Sequence, residues 1–142
     1  MKRGLFIGLV LIMSLSGISC NSQVKKDKEN IVAAVSGNIE VYYFHYTRRC
    51  ATCENVEDNT KLAIENINKK RVGGDAIVYH VLNLDDVASK GVADKFKVGG
   101  QSLIVTMGEK KVDITGNAFI NAKSPVKIEE EISKATNKLL KP

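Results

Sequence analysis

The chain of 142 residues has no tryptophan, only two prolines and two histidines, and three cysteines. Three cysteines are too few for a small protein held together by several disulfides. Charged residues make up 26% of the chain and hydrophobic residues 44%, which is typical of a folded globular domain and excludes a disordered chain, a collagen-like repeat and a protein with many membrane spans. The length predicts one domain, with room for an export segment.

The chain also lacks a large excess of charge of either sign. The chain has 21 basic and 16 acidic residues, and Lys2 and Arg3 fall in the export signal described below, which leaves 19 basic residues against 16 acidic ones. The basic residues form no stripe interleaved with aromatic side chains, which is the pattern of a nucleic-acid-binding surface. We therefore expect no nucleic-acid partner.

The N-terminal residues 1–19 have the order of a secretory signal. A short basic start precedes residues 4–19, which are almost wholly apolar or small. This stretch is shorter than the roughly 20 residues that a membrane-spanning helix needs. Cys20 follows directly, and the segment resembles a bacterial lipoprotein signal, in which that cysteine is lipidated and becomes the first residue of the mature chain. An ordinary cleaved signal that happens to contain a cysteine is the alternative.

The organisation of the remaining chain follows from a change in composition. Residues 20–37 begin polar and lysine-rich, and such a composition cannot bury enough surface to fold alone. Within them, the apolar residues 31–35 could form a first strand or a short helix. We therefore expect a signal peptide of the lipoprotein type at 1–19, a flexible tether at 20–37 and one folded domain at 38–142. The domain would be exported and anchored to a bacterial membrane through lipid at Cys20, facing the periplasm or the outside.

The body of the chain alternates between strand and helix patterns. The patterns predict strands at 39–46, 76–84, 102–107 and 111–115, and helices at 50–70, 86–97 and from 124 onwards. The first two strands are almost continuously apolar, which indicates strands covered on both faces. Two strand–helix–strand crossovers predict parallel neighbours, and a hairpin after the third strand adds an antiparallel edge. The predicted fold class is α/β, with a central mixed sheet of about four to five strands flanked by helices on both faces.

Local signals refine these bounds. Asp85 and Asp86 could cap the second helix, Gly116-Asn117 predicts a turn, and Pro125 occupies a favourable first helical position. The last helix has an apolar stripe formed by Val126, Ile128, Ile132, Ala135 and Leu139. The aromatic cluster of the first strand is interpreted as strand residues divided between the two sheet faces rather than as a cofactor site; it consists of Tyr42, Tyr43, Phe44 and Tyr46.

Cys50 and Cys53 are the residues most suited to chemistry. Cys50 falls at the junction of the first strand and the first helix, and Cys53 follows one helical turn later. A helix start presents unpaired backbone N–H groups and the positive end of the helix dipole, which favour a thiolate, and Arg48 and Arg49 add charge of the same sense. We therefore predict that Cys50 attacks a substrate to form a mixed disulfide, and that the more buried Cys53 resolves it.

The same cysteine pair allows other functions. Thiolates select Cu(I) or zinc, although a closed zinc site takes four ligands. His45 or His80 could supply a third ligand, and each is otherwise an ordinary packed strand residue. A static disulfide without turnover, and a non-enzymatic adaptor that docks a membrane partner, are further alternatives. The sequence shows no flavin or nicotinamide fingerprint, so we expect no cofactor.

The segment from about residue 38 to residue 140 resembles the thioredoxin fold. Its most specific feature is the strand followed by Cys50-Ala51-Thr52-Cys53 and a helix, and Val81–Asp85 resembles the family's second central strand and its exit. Phe96–Gly100 resembles the approach to the third. The stretch Tyr42–Cys53 further resembles a small exported bacterial branch labelled ArsF-like. The resemblance implies disulfide exchange with protein thiols or disulfides, and it allows a membrane electron donor or acceptor.

Three positions depart from the thioredoxin pattern. Arg49 stands where thioredoxins carry tryptophan, and Phe44 stands where they carry a buried acid that helps to move a proton off the resolving cysteine. Ser102 stands where they carry a cis-proline, and we expect a trans bond there because a cis bond at a non-proline residue costs about 2.5–4 kcal/mol. The resemblance implies that Gln101 and Ser102 form the substrate loop. Loss of the proline makes metal capture more plausible than in an ordinary thioredoxin.

Overall fold

The computed structural model describes residues 38–71 and 75–141. The predicted signal at 1–19, the lipidation site at Cys20 and the tether at 20–37 lie outside the described residues. The described residues form the strands β1 (Ile39–His45), β2 (Val78–Asn83), β3 (Ser102–Met107) and β4 (Lys110–Asp113), and the helices α1 (Ala51–Lys70), α2 (Val87–Phe96), α3 (Thr115–Ile120) and α4 (Pro125–Leu139).

The four described strands form one mixed sheet in the order β2-β1-β3-β4. β1 and β2 are parallel and are joined through α1, as the sequence predicts. The expected second parallel crossover is wrong, because β3 runs antiparallel to β1, with Ser102 opposite Phe44. α2 is only ten residues long and is followed by Lys97 in the left-handed conformation at φ 54. It therefore returns the chain to the end of the sheet where β2 stops.

Helices cover both faces of this sheet, which confirms the predicted fold class. α1, α3 and α4 pack on one face over the larger core cluster, and α2 packs on the other face over a smaller one. Alternate side chains of β1 point to opposite faces: Tyr43 belongs to the larger cluster, while Tyr42 and Phe44 belong to the smaller one. The predicted division between the two faces is confirmed for Tyr42, Tyr43 and Phe44, whereas Tyr46 follows the end of β1 and is 38% exposed.

Two predictions about burial are wrong. β2 is an edge strand of the described sheet rather than a strand covered on both faces, and its Val78 and Val81 are 43% and 40% exposed. Val126 is 60% exposed, whereas the rest of the predicted α4 stripe is buried. Val126 precedes Ile128 by two residues, which is about 200° around an α-helix, so the two side chains point to opposite sides of α4.

The connections around β4 are tight. β3 and β4 are joined by a two-residue loop in which Gly108 has φ +59, and glycine adopts this conformation without steric cost. The predicted turn at Gly116-Asn117 is instead part of α3, whose Ala118 is fully buried.

Within 38–71 and 75–141, no helix is both long and apolar enough to cross a membrane.

Candidate functional site

The two cysteines lie together at the start of α1. Cys50 is the N-cap residue, with extended backbone angles, and its carbonyl accepts hydrogen bonds from the backbone N–H groups of Cys53 and Glu54 at 2.9 and 3.2 Å. Both thiols are free, and their Sγ atoms are 2.7 Å apart. Cys50 is exposed, whereas Cys53 is 4% exposed. The pair therefore has one sulfur that a partner can reach and one that only Cys50 approaches directly.

The loop between β1 and α1 is held by contacts with neighbouring connections. The backbone N–H of Thr47 donates to Asp85 at 2.8 Å, and the Tyr46 hydroxyl donates to the carbonyl of Gly99 at 3.1 Å. The Thr47 N–H also holds the pKa of Asp85 below its ordinary value. Asp86 is the N-cap residue of α2, as the sequence allowed, but its side chain makes no capping hydrogen bond. Asp85 thus fixes the loop that leads to Cys50 rather than a helix start.

The pKa of Cys50 lies below its ordinary value of 9.0. The largest cause is the Cys53 thiol, which donates toward the Cys50 sulfur, followed by the backbone N–H of Cys53; burial opposes the shift, and the N–H groups of Thr52 and Cys50 add to it. A hydrogen bond to the charged form stabilises that form. The geometry therefore favours the thiolate form of Cys50.

The two arginines differ in their contacts. Arg49 forms an ion pair with Glu57, one helical turn after Cys53, and Arg48 makes no ion pair or side-chain hydrogen bond within the described residues. Neither guanidinium is among the groups that lower the pKa of Cys50. The effect of Arg48 and Arg49 on this pKa stays a prediction: a carboxylate that follows in the helix neutralises Arg49, and Arg48 lies exposed.

Tyr43 is a site residue that the sequence analysis treated only as part of a strand. It is fully buried beneath the start of α1, and its hydroxyl donates to the carbonyl of Cys53 at 2.8 Å. Burial raises the pKa of Tyr43 to about 12, the nearby sulfurs add to this effect, and Arg49 opposes it. One turn further along α1, the Tyr79 hydroxyl donates to the carbonyl of Glu57 at 3.3 Å. The alternation of side chains along β1 could have identified Tyr43, since it faces α1.

Phe44 occupies the position at which thioredoxins carry the buried acid. It is fully buried, and its side chain packs with Phe96 on the α2 face, opposite the face that holds Tyr43. None of the buried polar residues in the described part of the chain is a carboxylate. The residues around Cys53 on the α1 side are therefore a tyrosine hydroxyl and a carboxylate that is already paired with Arg49.

The histidines are not brought to the cysteine pair. His45 donates from Nδ1 to the carbonyl of Tyr46 at 2.9 Å. His80 stacks on Tyr42 with ring centroids 4.5 Å apart, and its Nε2 lies 3.7 Å from Glu40. In the part of the chain that the structure describes, no group of three or more His, Cys, Asp or Glu side chains is placed to hold a metal ion. The alternative ligand set of Cys50, Cys53 and His45 is thus not assembled.

The predicted substrate loop lies at the same end of the sheet as the cysteines. Ser102 is the first residue of β3 and pairs with Phe44, near the end of β1 that leads to Cys50. Its hydroxyl donates to the carbonyl of Gly100 at 3.0 Å, and Gln101 is half-buried. The described residues contain no cis peptide bond, so the expected trans bond is confirmed. The role of Gln101 and Ser102 in holding a substrate stays a prediction.

No protein-family model matches this sequence, and no curated protein matches it either. Solved structures do. Human ERp44 in its zinc-bound form is 13% identical to this chain, with a TM-score of 0.58. The match covers 78% of this chain and 30% of the ERp44 chain. Trxlp from Edwardsiella tarda is 17% identical with a TM-score of 0.50, covering 69% of this chain and 84% of that one. Fasciola hepatica thioredoxin is 15% identical with a TM-score of 0.48, and the match covers 71% of this chain and 84% of the thioredoxin chain. Together with the strand order and the placement of Cys50 and Cys53, the first two likenesses show that the chain has a thioredoxin-like fold.

Proposed function

We propose that this protein is an exported thiol–disulfide oxidoreductase that exchanges disulfides through Cys50 and Cys53. The observation that supports it best is the asymmetry of the pair. One sulfur is exposed and favoured as a thiolate, the other is buried, and the two are 2.7 Å apart. A static structural bridge has no need of this asymmetry, because it never reacts with a second molecule.

The reduced protein reacts in two steps. The Cys50 thiolate attacks one sulfur of a partner disulfide, so that a Cys50–partner disulfide forms, the partner disulfide breaks, and the second partner sulfur leaves as a thiolate. Cys53 then loses its proton and attacks the Cys50 sulfur, which releases the first partner sulfur as a thiolate. The protein is now oxidised to the Cys50–Cys53 disulfide, and the partner has gained two electrons. The same steps in reverse oxidise a partner dithiol.

Export and membrane anchoring belong to this proposal. They are supported by the signal-like order of residues 1–19 and by Cys20 at the place where a bacterial lipoprotein is lipidated. The resemblance of Tyr42–Cys53 to the exported ArsF-like branch supports the same location. An anchored domain would meet protein thiols or disulfides of the cell envelope, and a membrane electron donor or acceptor would regenerate it.

The test is the reduction potential of the pair together with turnover on a small model disulfide, for the wild-type protein and for Cys50→Ser. We expect turnover in the wild-type protein and none in Cys50→Ser. A potential near the roughly −120 mV of strong oxidants would assign the protein to disulfide formation, and one near the roughly −270 mV of thioredoxin would assign it to reduction. Equal rates in the two proteins would refute the proposal.

Metal binding is the competing function. Human ERp44, one of the structural likenesses, was solved in a zinc-bound form, and the two sulfurs of this chain could supply two soft ligands. A third ligand is not assembled among the described side chains, so we favour the redox function. Metal analysis of protein purified under reducing conditions separates the two, because stoichiometric zinc or copper that Cys50→Ser loses would indicate a metal-binding module.

A further inference from the structure

A groove of about 340 Å³ opens beside the cysteine pair, between α1 and the segment that joins α3 to α4. Thr52, which lies between the two cysteines in the sequence, and Asn55 form its α1 wall. The opposite wall is fixed to α1, because the side chain of Asn59 donates to the carbonyl of Ala122 at 2.7 Å. The groove therefore lies at the first turn of α1, the turn that carries Cys50 and Cys53, and neither cysteine is among its lining residues.

An aliphatic side chain stands exposed on this wall. Ile120 is 83% exposed, whereas its neighbour Phe119 is half-buried and packs against the larger core cluster. Both residues line the groove. A partner that covers Ile120 would gain the hydrophobic free energy that the isolated domain leaves unused.

The charge of the groove has one sign. Lys123 and Lys127 line it, and neither forms an ion pair within the described residues. Among the described residues, none that lines the groove is acidic. The positive end of α4 lies at the same place, where Ser124 caps the helix by accepting from the backbone N–H of Lys127.

A second cavity has the opposite charge. It has a volume of about 280 Å³ and lies under the loop that leads to Cys50, where Tyr46 and Gly99 form part of its wall. Asp85, Asp86 and Asp94 line it, against the single lysine Lys90. An acidic partner segment would be repelled there and attracted to the groove at α3 and α4, so the two cavities give a docking partner one orientation.

We propose that the groove between α1 and the α3–α4 segment binds the part of a partner protein that flanks its reactive cysteine, and that this part combines an apolar side chain with acidic ones. The proposal rests on the proposed function and names the class of its substrate. The apolar side chain covers Ile120, and the carboxylates lie against Lys123 and Lys127. The docked segment presents its sulfur to Cys50, and the exchange then follows the two steps given above.

The experiment measures attack by Cys50 alone, in a Cys53→Ser background that stops the reaction at the mixed disulfide. The probes are three symmetrical disulfides: bis(2-hydroxyethyl) disulfide, the dimer of a short peptide with leucine and glutamate flanking its cysteine, and the same peptide with lysine for glutamate. Attack on either sulfur of a symmetrical disulfide gives one mixed disulfide and one free thiol, which mass spectrometry counts. Exposed ion pairs are weak and screened by salt, so we expect a preference of about two- to tenfold for the acidic peptide at low ionic strength.

The lysines are tested by Lys123→Glu/Lys127→Glu, with Lys138→Glu/Lys141→Glu as the matched control. The control pair changes the net charge equally at the other end of α4, and both of its lysines are exposed. We expect the first variant to lose or invert the preference and the control to keep it. Ile120→Ser should slow the reaction with the leucine-containing peptides by a larger factor than the reaction with bis(2-hydroxyethyl) disulfide.

The remaining outcomes overturn either the docking proposal alone or the proposed function on which it rests. Equal rates for the two peptides in the protein with an unaltered groove would refute the docking proposal and leave the redox function standing. The same holds for a preference that is lost in Lys138→Glu/Lys141→Glu and kept in Lys123→Glu/Lys127→Glu. Failure of Cys50 to react with bis(2-hydroxyethyl) disulfide would instead refute the proposed function, and the docking proposal with it.

Discussion

Replacement of Tyr43 by phenylalanine removes one hydroxyl from beneath the cysteine pair and tests how the start of α1 is held. Tyr43 is fully buried, and its hydroxyl donates to the carbonyl of Cys53 at 2.8 Å. Phenylalanine keeps the ring and its packing in the larger core cluster. The variant Tyr43→Phe therefore loses a hydrogen bond and almost no apolar contact.

The expected loss in the free energy of unfolding depends on which hydrogen-bond partners the carbonyl of Cys53 keeps. A neutral intramolecular hydrogen bond contributes about 0.5–1.5 kcal/mol to the free energy of unfolding. The carbonyl of Cys53 lies inside α1 and keeps the backbone N–H partner that a helical carbonyl has, so no buried acceptor is left unpaired and the larger desolvation penalty does not apply. We expect Tyr43→Phe to cost about 1 kcal/mol, which for a domain of this size lowers Tm by about 4–8 °C.

Tyr79→Phe is the matched control. Its hydroxyl donates to the next turn of the same helix, at the carbonyl of Glu57, over a longer distance of 3.3 Å and from a half-buried edge strand. Chemical unfolding of the reduced proteins should give a smaller loss for Tyr79→Phe than for Tyr43→Phe. Equal stability of Tyr43→Phe and the wild-type protein, or a larger loss in the control, would contradict the view that Tyr43 anchors the helix start at Cys53.

Three further changes test the site and the fold. Cys53→Ser removes the largest cause that lowers the pKa of Cys50, so the pH profile of Cys50 alkylation should move to higher pH. A lowered pKa of Cys50 stabilises the folded state fully above the unfolded value of 9.0, and less as pH falls through the folded pKa. The difference in unfolding free energy between the reduced wild-type protein and Cys50→Ser should therefore grow as pH rises towards 9.0, and a difference that does not change with pH would contradict this. Ile128→Ala at a fully buried position should cost about 2–5 kcal/mol in urea unfolding, whereas Val126→Ala, at 60% exposure, should change it by no more than about 0.5 kcal/mol. Gly108→Ala should cost about 1–2 kcal/mol, because φ at this position is +59 and no neighbouring atom would contact the added carbon; an unchanged Tm would show that the hairpin relaxes.

Periodic patterns of a single element were predictable from the sequence, and patterns that depend on neighbours were not. Helical spacing along α1 predicts one buried side; its first five members are buried and the last, Ile67, is half-buried. The first five are Cys53, Val56, Thr60, Ala63 and Ile64. β2 has an equally apolar sequence, but its exposure depends on which strands lie beside it in the sheet. Since only β1 pairs with it among the described strands, Val78 and Val81 are partly exposed. Apolar composition alone does not distinguish an edge strand from a central one.

The direction of β3 was unpredictable for a related reason. The strand–helix–strand pattern favours parallel neighbours when the helix runs the length of the sheet. α2 is too short for this and ends in the left-handed turn at Lys97, and a lysine with positive φ leaves no sequence signal comparable to a glycine. As a result, Ser102 and Gln101 arrive at the end of the sheet that holds the cysteines, which is what the candidate site requires.

The pairing of Arg49 with Glu57 changes how the site works. A guanidinium next to Cys50 would hold it ionised whatever the state of the second sulfur. With Arg49 paired, the largest cause of the lowered pKa of Cys50 is the thiol of Cys53 itself. In the proposed reaction, the Cys53 side chain therefore holds the Cys50 thiolate before the mixed disulfide forms and supplies the attacking sulfur after it, so one buried residue serves both steps in turn.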